Sequence, residues 1–150
     1  MSMLPKVELF AGLSEDEQAA LEGSCVTRNY PRNTVVINEN DFADSLYVIE
    51  SGRVKVYCSD KNGKEYIMNT LGPGDYFGEL ALLDDDRRSA SVRTLEKSTF
   101  TIMFKDEFHA TMGRHPNIAQ TLMLNLTRRV RKLTENVKSL ALQDVYGRVT

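Results

Sequence analysis

The sequence is short of cysteine, histidine and long apolar runs, and each shortage removes a class of protein. Cys25 and Cys58 are the only thiols. They are far apart and each lies in a strand-like stretch, so a disulfide framework, a cysteine-rich zinc site and a four-cysteine cluster are all unsupported. Both read as buried small hydrophobes. His109 and His115 are the only histidines; both fall in a helical region, which leaves no pair on a strand to hold a metal. No stretch approaches the roughly 18 consecutive apolar residues of a membrane span, and the N-terminus MSMLPKVELF lacks the basic-then-apolar pattern of a secretory leader. A cytoplasmic protein is expected, with no metal, no cofactor and no membrane partner.

What is present fits one domain with a real core plus one long appended element: 150 residues, 41% hydrophobic and 27% charged. The net charge of −2 conceals an asymmetry. From residue 116 onward, six basic residues face only Glu135 and Asp144, a local balance of +4 that leaves −6 on residues 1–115. An acidic body argues against that region holding DNA phosphates, which are neutralised by Lys and Arg. The short basic stretch reads as a solvated helix face.

Along the chain, Ser14 and Glu17 form a candidate capping box for a short surface helix over 13–21. From about 24 to 105 the pattern changes to short β-type runs separated by turns: CVTRNY, TVVINE, SLYVIE, RVKVYCS, EYIMNTL, SASVRTL and TFTIMF. Asn62-Gly63 between two of them signals a tight hairpin, since a type I′ turn wants positive φ at both central residues. Many short strands without intervening helices indicate an antiparallel barrel or sandwich rather than a parallel sheet. After Phe104 the period becomes helical. A short helix over 105–112 is broken at Gly113 and Pro116, and a long one runs over about 117–141. Met123, Val130 and Val137 take heptad position a, and Leu126, Leu133 and Leu140 position d. A β-branched residue at a with leucine at d favours a parallel two-stranded pair, and a strict 3-and-4 stripe is narrower than the face of a helix lying on its own core. A homodimer through these six residues is expected.

The chemistry concentrates in LGPGDYFGELALLDDDRRSASV, which starts at Leu71. Gly72, Gly74 and Gly78 give tight turns and a backbone that a ligand can approach closely. ELALL, from Glu79, reads as a single helical turn whose first N–H groups lack partners, which suits an anion. Arg88 and Ser89 re-enter a strand nearby with a fork of donors and a hydroxyl, a set that suits a phosphate diester. Glu79 would suit a sugar hydroxyl. Taken alone, the glycines serve equally as turns, and Arg87 and Arg88 as neutralisers of Asp84, Asp85 and Asp86.

FGELALL followed by RRSASV resembles the phosphate-binding cassette of cyclic-nucleotide-binding domains, and the likeness extends over roughly residues 5 to 112 through LYVIESGRVKVY and GKEYIMNTLGPGDYFGELALL. His115-Pro116, Arg128-Arg129 and LALQDVYGRVT are similar to the CRP/FNR family of transcription regulators. That resemblance implies a mainly β fold with flanking helices: a jelly-roll barrel, or antiparallel double-stranded β-helix, over 1–115, a dimerisation helix over 116–142, and at 143–150 the start of a helix-turn-helix domain cut short at Thr150.

It further implies that the Gly78 backbone and Glu79 hold the ribose, with Leu80 beside them. Arg88 and Ser89 take the cyclic phosphate, and Arg129 comes near Glu79. Leu133 and Thr134 stand where members that respond to cyclic AMP present Thr-Ser to the adenine amine; leucine cannot make that bond, which weakens the basis for adenine selectivity. The implied function is to bind a cyclic nucleotide, cyclic AMP first, and so control DNA binding and the approach to RNA polymerase by a part beyond this chain. The alternatives are another ligand such as cyclic di-GMP, or a regulator active without ligand. A cupin-type enzyme fails on the histidines. A haem or iron–sulfur sensor fails on the thiols and histidines, and a kinase-subunit or channel domain on the zipper and the DVYGRVT ending.

Overall fold

A computed structural model describes residues 7–78 and 87–149, without the side chains of Glu8 and of residues 144–149. After a 3₁₀ turn at Glu8–Phe10 and helix α1 (Glu15–Gly23) come eight strands: β1 (Cys25–Tyr30), β2 (Val35–Ile37), β3 (Ser45–Ser51), β4 (Val54–Ser59), β5 (Glu65–Leu71), β6 (Tyr76–Phe77), β7 (Ser91–Thr94) and β8 (Ser98–Phe104). Helices α2 (Lys105–Arg114) and α3 (Pro116–Val149) follow. Two four-stranded antiparallel sheets result, in the orders β1-β8-β3-β6 and β2-β7-β4-β5. Every pairing among them is antiparallel, as the run of short strands implies.

Strand alternation explains how one chain serves two cores. In β3, Leu46 and Val48 turn to a cluster with Phe10, Leu21, Phe108, Ile118 and Leu122, beneath the helices. Tyr47 and Ile49 of the same strand turn to the other face, against Phe77, Val92, Phe100 and Ile102 between the sheets. A strand covered on both faces reads as a continuous apolar run, as SLYVI does.

Several local expectations are corrected. Leu21 is fully buried, so α1, whose capping box Ser14 and Glu17 do form, anchors the helical core rather than lying on the surface. Cys25 and Cys58 are half-buried, not buried; burial still pushes the Cys25 thiol up to about 12, which keeps it protonated. The β4–β5 hairpin forms, but Asn62 is not left-handed: only Gly63 has positive φ, in a turn closed by its N–H on the Asp60 carbonyl. Asp60 accounts for this, since its carboxylate accepts from the Asn62 and Lys64 amides and selects a longer loop. Gly113 does not end α2, which breaks at His115, and Pro116 opens α3 at the position where its missing N–H costs nothing. α3 continues through Val149, since no proline follows Ala141 and the single Gly147 costs only about 1 kcal/mol.

On α3, Ile118, Leu122 and Asn125 are buried. The Asn125 amide donates to the Leu9 and Ala11 carbonyls at 2.8 and 3.0 Å, pinning the N-terminal turn. Leu126 packs partly on its own core, while Met123, Val130, Leu133, Val137 and Leu140 are 55–66% exposed.

Gly52 joins β3 to β4 at φ +97, where an added Cβ would lie 2.6 Å from the Ser98 Cα. Left-handed strain of about 1–2 kcal/mol adds to overpacking of about 1–3 kcal/mol. Gly52→Ala should therefore lower unfolding free energy in urea by about 3 kcal/mol. A loss below about 1 kcal/mol would show that the hairpin can move away from Ser98.

Candidate functional site

A cavity of about 770 Å³ opens over the second sheet, with Ile37, Val56, Leu71 and Val92 as apolar wall and Gly78, Arg88, Ser89 and Arg129 among its polar lining. Arg88 is 6% exposed. Its guanidinium donates to the Ser45 hydroxyl at 3.2 Å and reaches the Gly78 carbonyl at 3.5 Å. Among the described residues the nearest carboxylate oxygen, on the largely exposed Asp44, is 3.8 Å away. Burial lowers the Arg88 pKa, with Tyr47, Asp44 and Asp41 opposing, yet a guanidinium stays charged in proteins. A buried cation with neutral acceptors and one distant carboxylate retains donors for an anion.

The backbone holds this arginine in place. Its N–H donates to the Asp41 carbonyl at 2.8 Å, and its own carbonyl accepts from Asn40 at 2.9 Å. Gly78 has φ +79, and a Cβ there would lie 2.5 Å from Arg88 Nη1 and 2.9 Å from the Ser45 carbonyl. Only glycine allows the guanidinium to pass. Arg87 also lines the cavity; it donates to the Asn40 carbonyl at 2.9 Å and lies over the Phe42 ring at 4.4 Å.

Four expected residues thus meet at one cavity: Gly78, Arg88, Ser89 and Arg129. Arg88 and Ser89 precede β7 rather than belonging to it, because the strand begins at Ser91. Arg129 donates to the Tyr76 hydroxyl at 3.0 Å and sits 5.7 Å from that ring's centre, tying α3 to β6. Leu133 and Thr134 do not line the cavity; Leu133 is exposed, and the Thr134 hydroxyl donates back to the Val130 carbonyl. Glu79 and Leu80, the helical turn expected after them, and Asp84, Asp85 and Asp86 lie outside the described residues. Ser45, Tyr76 and Asn69 escaped sequence reading. No local pattern marks Ser45 or Tyr76, and Asn69 carried one signal, an amide within an otherwise β-favouring run.

A double-sheet antiparallel barrel with a buried arginine facing an open cavity defines a module for a small ligand bearing an anionic group. The sequence pattern of the cyclic nucleotide-binding domain family matches residues 27–115, and the chain belongs to that family. It is 32% identical over 147 residues, 98% of its length, to the "CRP-like cAMP-activated global transcriptional regulator" of Mycobacterium tuberculosis, of which it covers 66%. The Thermus thermophilus catabolite activator protein is 31% identical with a TM-score of 0.75 over 89% of this chain and 63% of that one. The N-terminal domain of a transcriptional regulator from Streptomyces coelicolor A3(2) is 27% identical with a TM-score of 0.82, covering 91% of this chain and 95% of that one. The chain therefore spans about two thirds of the length of the full-length regulators it matches. Among the described residues, no helix is long and apolar enough to cross a membrane.

Gly78→Ala should displace the Arg88 guanidinium, and a charge-assisted hydrogen bond lost in a pocket costs about 1.5–3 kcal/mol. Cyclic-nucleotide affinity measured by calorimetry should fall at least about tenfold while circular dichroism still reports a folded barrel. Unchanged affinity would mean that Arg88 does not hold the ligand.

Proposed function

We propose that this chain is the ligand-sensing and dimerisation part of a cytoplasmic bacterial transcription regulator that binds a cyclic nucleotide, cyclic AMP first among them. The observation that carries this reading is Arg88: a buried cation with spare donors, at the wall of a cavity of nucleotide size, in a chain of this family. The cyclic phosphate lies on Arg88 and Ser89, the ribose against the Gly78 backbone and Glu79 with Leu80 alongside, and Arg129 carries the event to α3. It is a binding module rather than an enzyme, because arginines hold an anion but do not exchange protons near neutral pH.

Two copies pair in parallel along α3 through Met123, Leu126, Val130, Leu133, Val137 and Leu140. The exposed apolar row supports this, with Leu126 shared between the seam and the core of its own chain. Ligand then shifts the pair between two arrangements that position DNA-binding parts, in contact with RNA polymerase, in the complete regulator; the segment from 143 on leads into such a part. One observation favours a second reading, in which the helices pair fully without ligand. Leu133 extends the apolar row where a hydrogen-bonding residue would interrupt it, and a ligand shifts an equilibrium only by its differential affinity for the two states.

Arg88→Ala should remove measurable binding of cyclic AMP, since leaving a ligand charge unpaired costs about 2–5 kcal/mol. The melting temperature of the unliganded protein should hardly change, because relief of a buried charge offsets the lost bonds to Ser45 and Gly78. Undiminished affinity would place the ligand elsewhere. Replacing Val130 and Leu133 together by Glu places like charges in the seam, and sedimentation at tens of micromolar should show monomers where the parent chain is a dimer. A monomeric parent chain would refute the pairing.

A further inference from the structure

Among the polar groups of the cavity wall is one on β5 that neither the phosphate nor the ribose accounts for. Asn69 lines the cavity from β5, in mid-strand, where asparagine is disfavoured and adds no packing. It faces Val56 of β4, which in turn faces Val92 of β7. Directly opposed residues share one face of a sheet, so all three side chains look into the cavity. Asn69 thus lies two strand spacings, roughly 10 Å, from Val92, and Val92 follows closely on Arg88 and Ser89. A nucleotide anchored by its phosphate at Arg88 runs across this wall with its base toward β5.

The strand is deformed at the same place. Val56 pairs with Asn69 but Tyr57 pairs with Ile67, so Met68 has no partner and forms a bulge. Bulges beside functional sites re-aim side chains, and here Met68 and Asn69, consecutive residues, both line the cavity. In a regular strand only one of them would.

The amide is oriented as well. The Thr70 backbone N–H donates to Asn69 Oδ1 at 2.8 Å. Only the oxygen can accept that bond, so the Nδ2 hydrogens are left for an acceptor on a ligand. Guanine places two acceptors, O6 and N7, side by side on one edge, whereas adenine sets an amine beside N7. A donor held in this orientation complements the first and opposes the second.

We infer that Asn69 reads the base from within its own chain, donating to a purine carbonyl and so raising affinity for 6-oxopurine cyclic nucleotides relative to cyclic AMP. The inference rests on the cyclic-nucleotide reading above. It assigns base discrimination to the β5 bulge rather than to α3, where Leu133 is exposed and outside the cavity lining.

The test is calorimetry of the full 150-residue chain, Asn69→Ala and Asn69→Asp with cyclic AMP, cyclic GMP and cyclic IMP, the last carrying O6 without the 2-amine. Asn69→Asp keeps the acceptor for Thr70 and replaces the donor by a charged acceptor. Both variants should bind cyclic GMP and cyclic IMP about three- to tenfold more weakly relative to cyclic AMP than the parent does, the range expected for one hydrogen bond. Asn69→Asp should give the larger change, because its carboxylate repels O6 and accepts from the adenine amine. Ratios that stay within about twofold in both variants overturn this inference alone. Failure of the parent chain to bind any of the three overturns the nucleotide reading and this inference with it.

Discussion

A guanidinium buried with little negative charge around it among the described residues organises the cavity end of this barrel. Arg88 donates to Ser45 at the start of β3, reaches the Gly78 carbonyl just after β6, and leads the chain toward β7. One side chain thereby joins three strands drawn from both sheets, and the barrel end that it braces is where the cavity opens. Filling that position with an apolar residue would relieve the desolvation cost, and an anionic partner would offset the same cost by completing its hydrogen bonds.

The same economy governs the other face of the first sheet. β3 supplies Leu46 and Val48 to the helical core and Tyr47 and Ile49 to the core between the sheets. Adjacent residues of one strand thus pack into both cores. Arg129 adds a direct link, since it lines the cavity and bonds Tyr76 from the long helix. The apolar row on α3 begins where that helix leaves its own core, with Leu126 at the boundary. Arg129 thus places a cavity residue on the same helix as the exposed apolar row, between Leu126 and Val130.

Much of this was legible in the residues. Short β-type runs bounded by turn residues gave seven of the strands, the Ser14–Glu17 box gave the first helix, and the 3-and-4 spacing gave the exposed row on α3. Gly78 and Arg88 stood out because a tight glycine turn and an arginine close in sequence make a recognisable anion motif. β6 was missed because two residues cannot display a period. The hairpin at Asn62-Gly63 was placed correctly but given the wrong turn, because Asp60, outside the dipeptide, captures the loop amides. Leu21 was misplaced because a single leucine on a polar helix does not reveal that it points into a core.

The sequence by itself determined the local quantities: which runs extend, which segments coil, where the backbone must be glycine, and which family's pattern the chain carries. Each of these depends on neighbours within a few residues, so each is written in spacing. Only the tertiary structure decided that Ser45, 43 residues before Arg88, is its hydrogen-bond partner, and that Arg129 of α3 meets Tyr76 of β6. It alone set a one-residue bulge in β5 that turns Asn69 toward the same cavity. Those relations arise when strands distant in sequence pair in one register, and register is fixed by the whole buried face rather than by any segment of it.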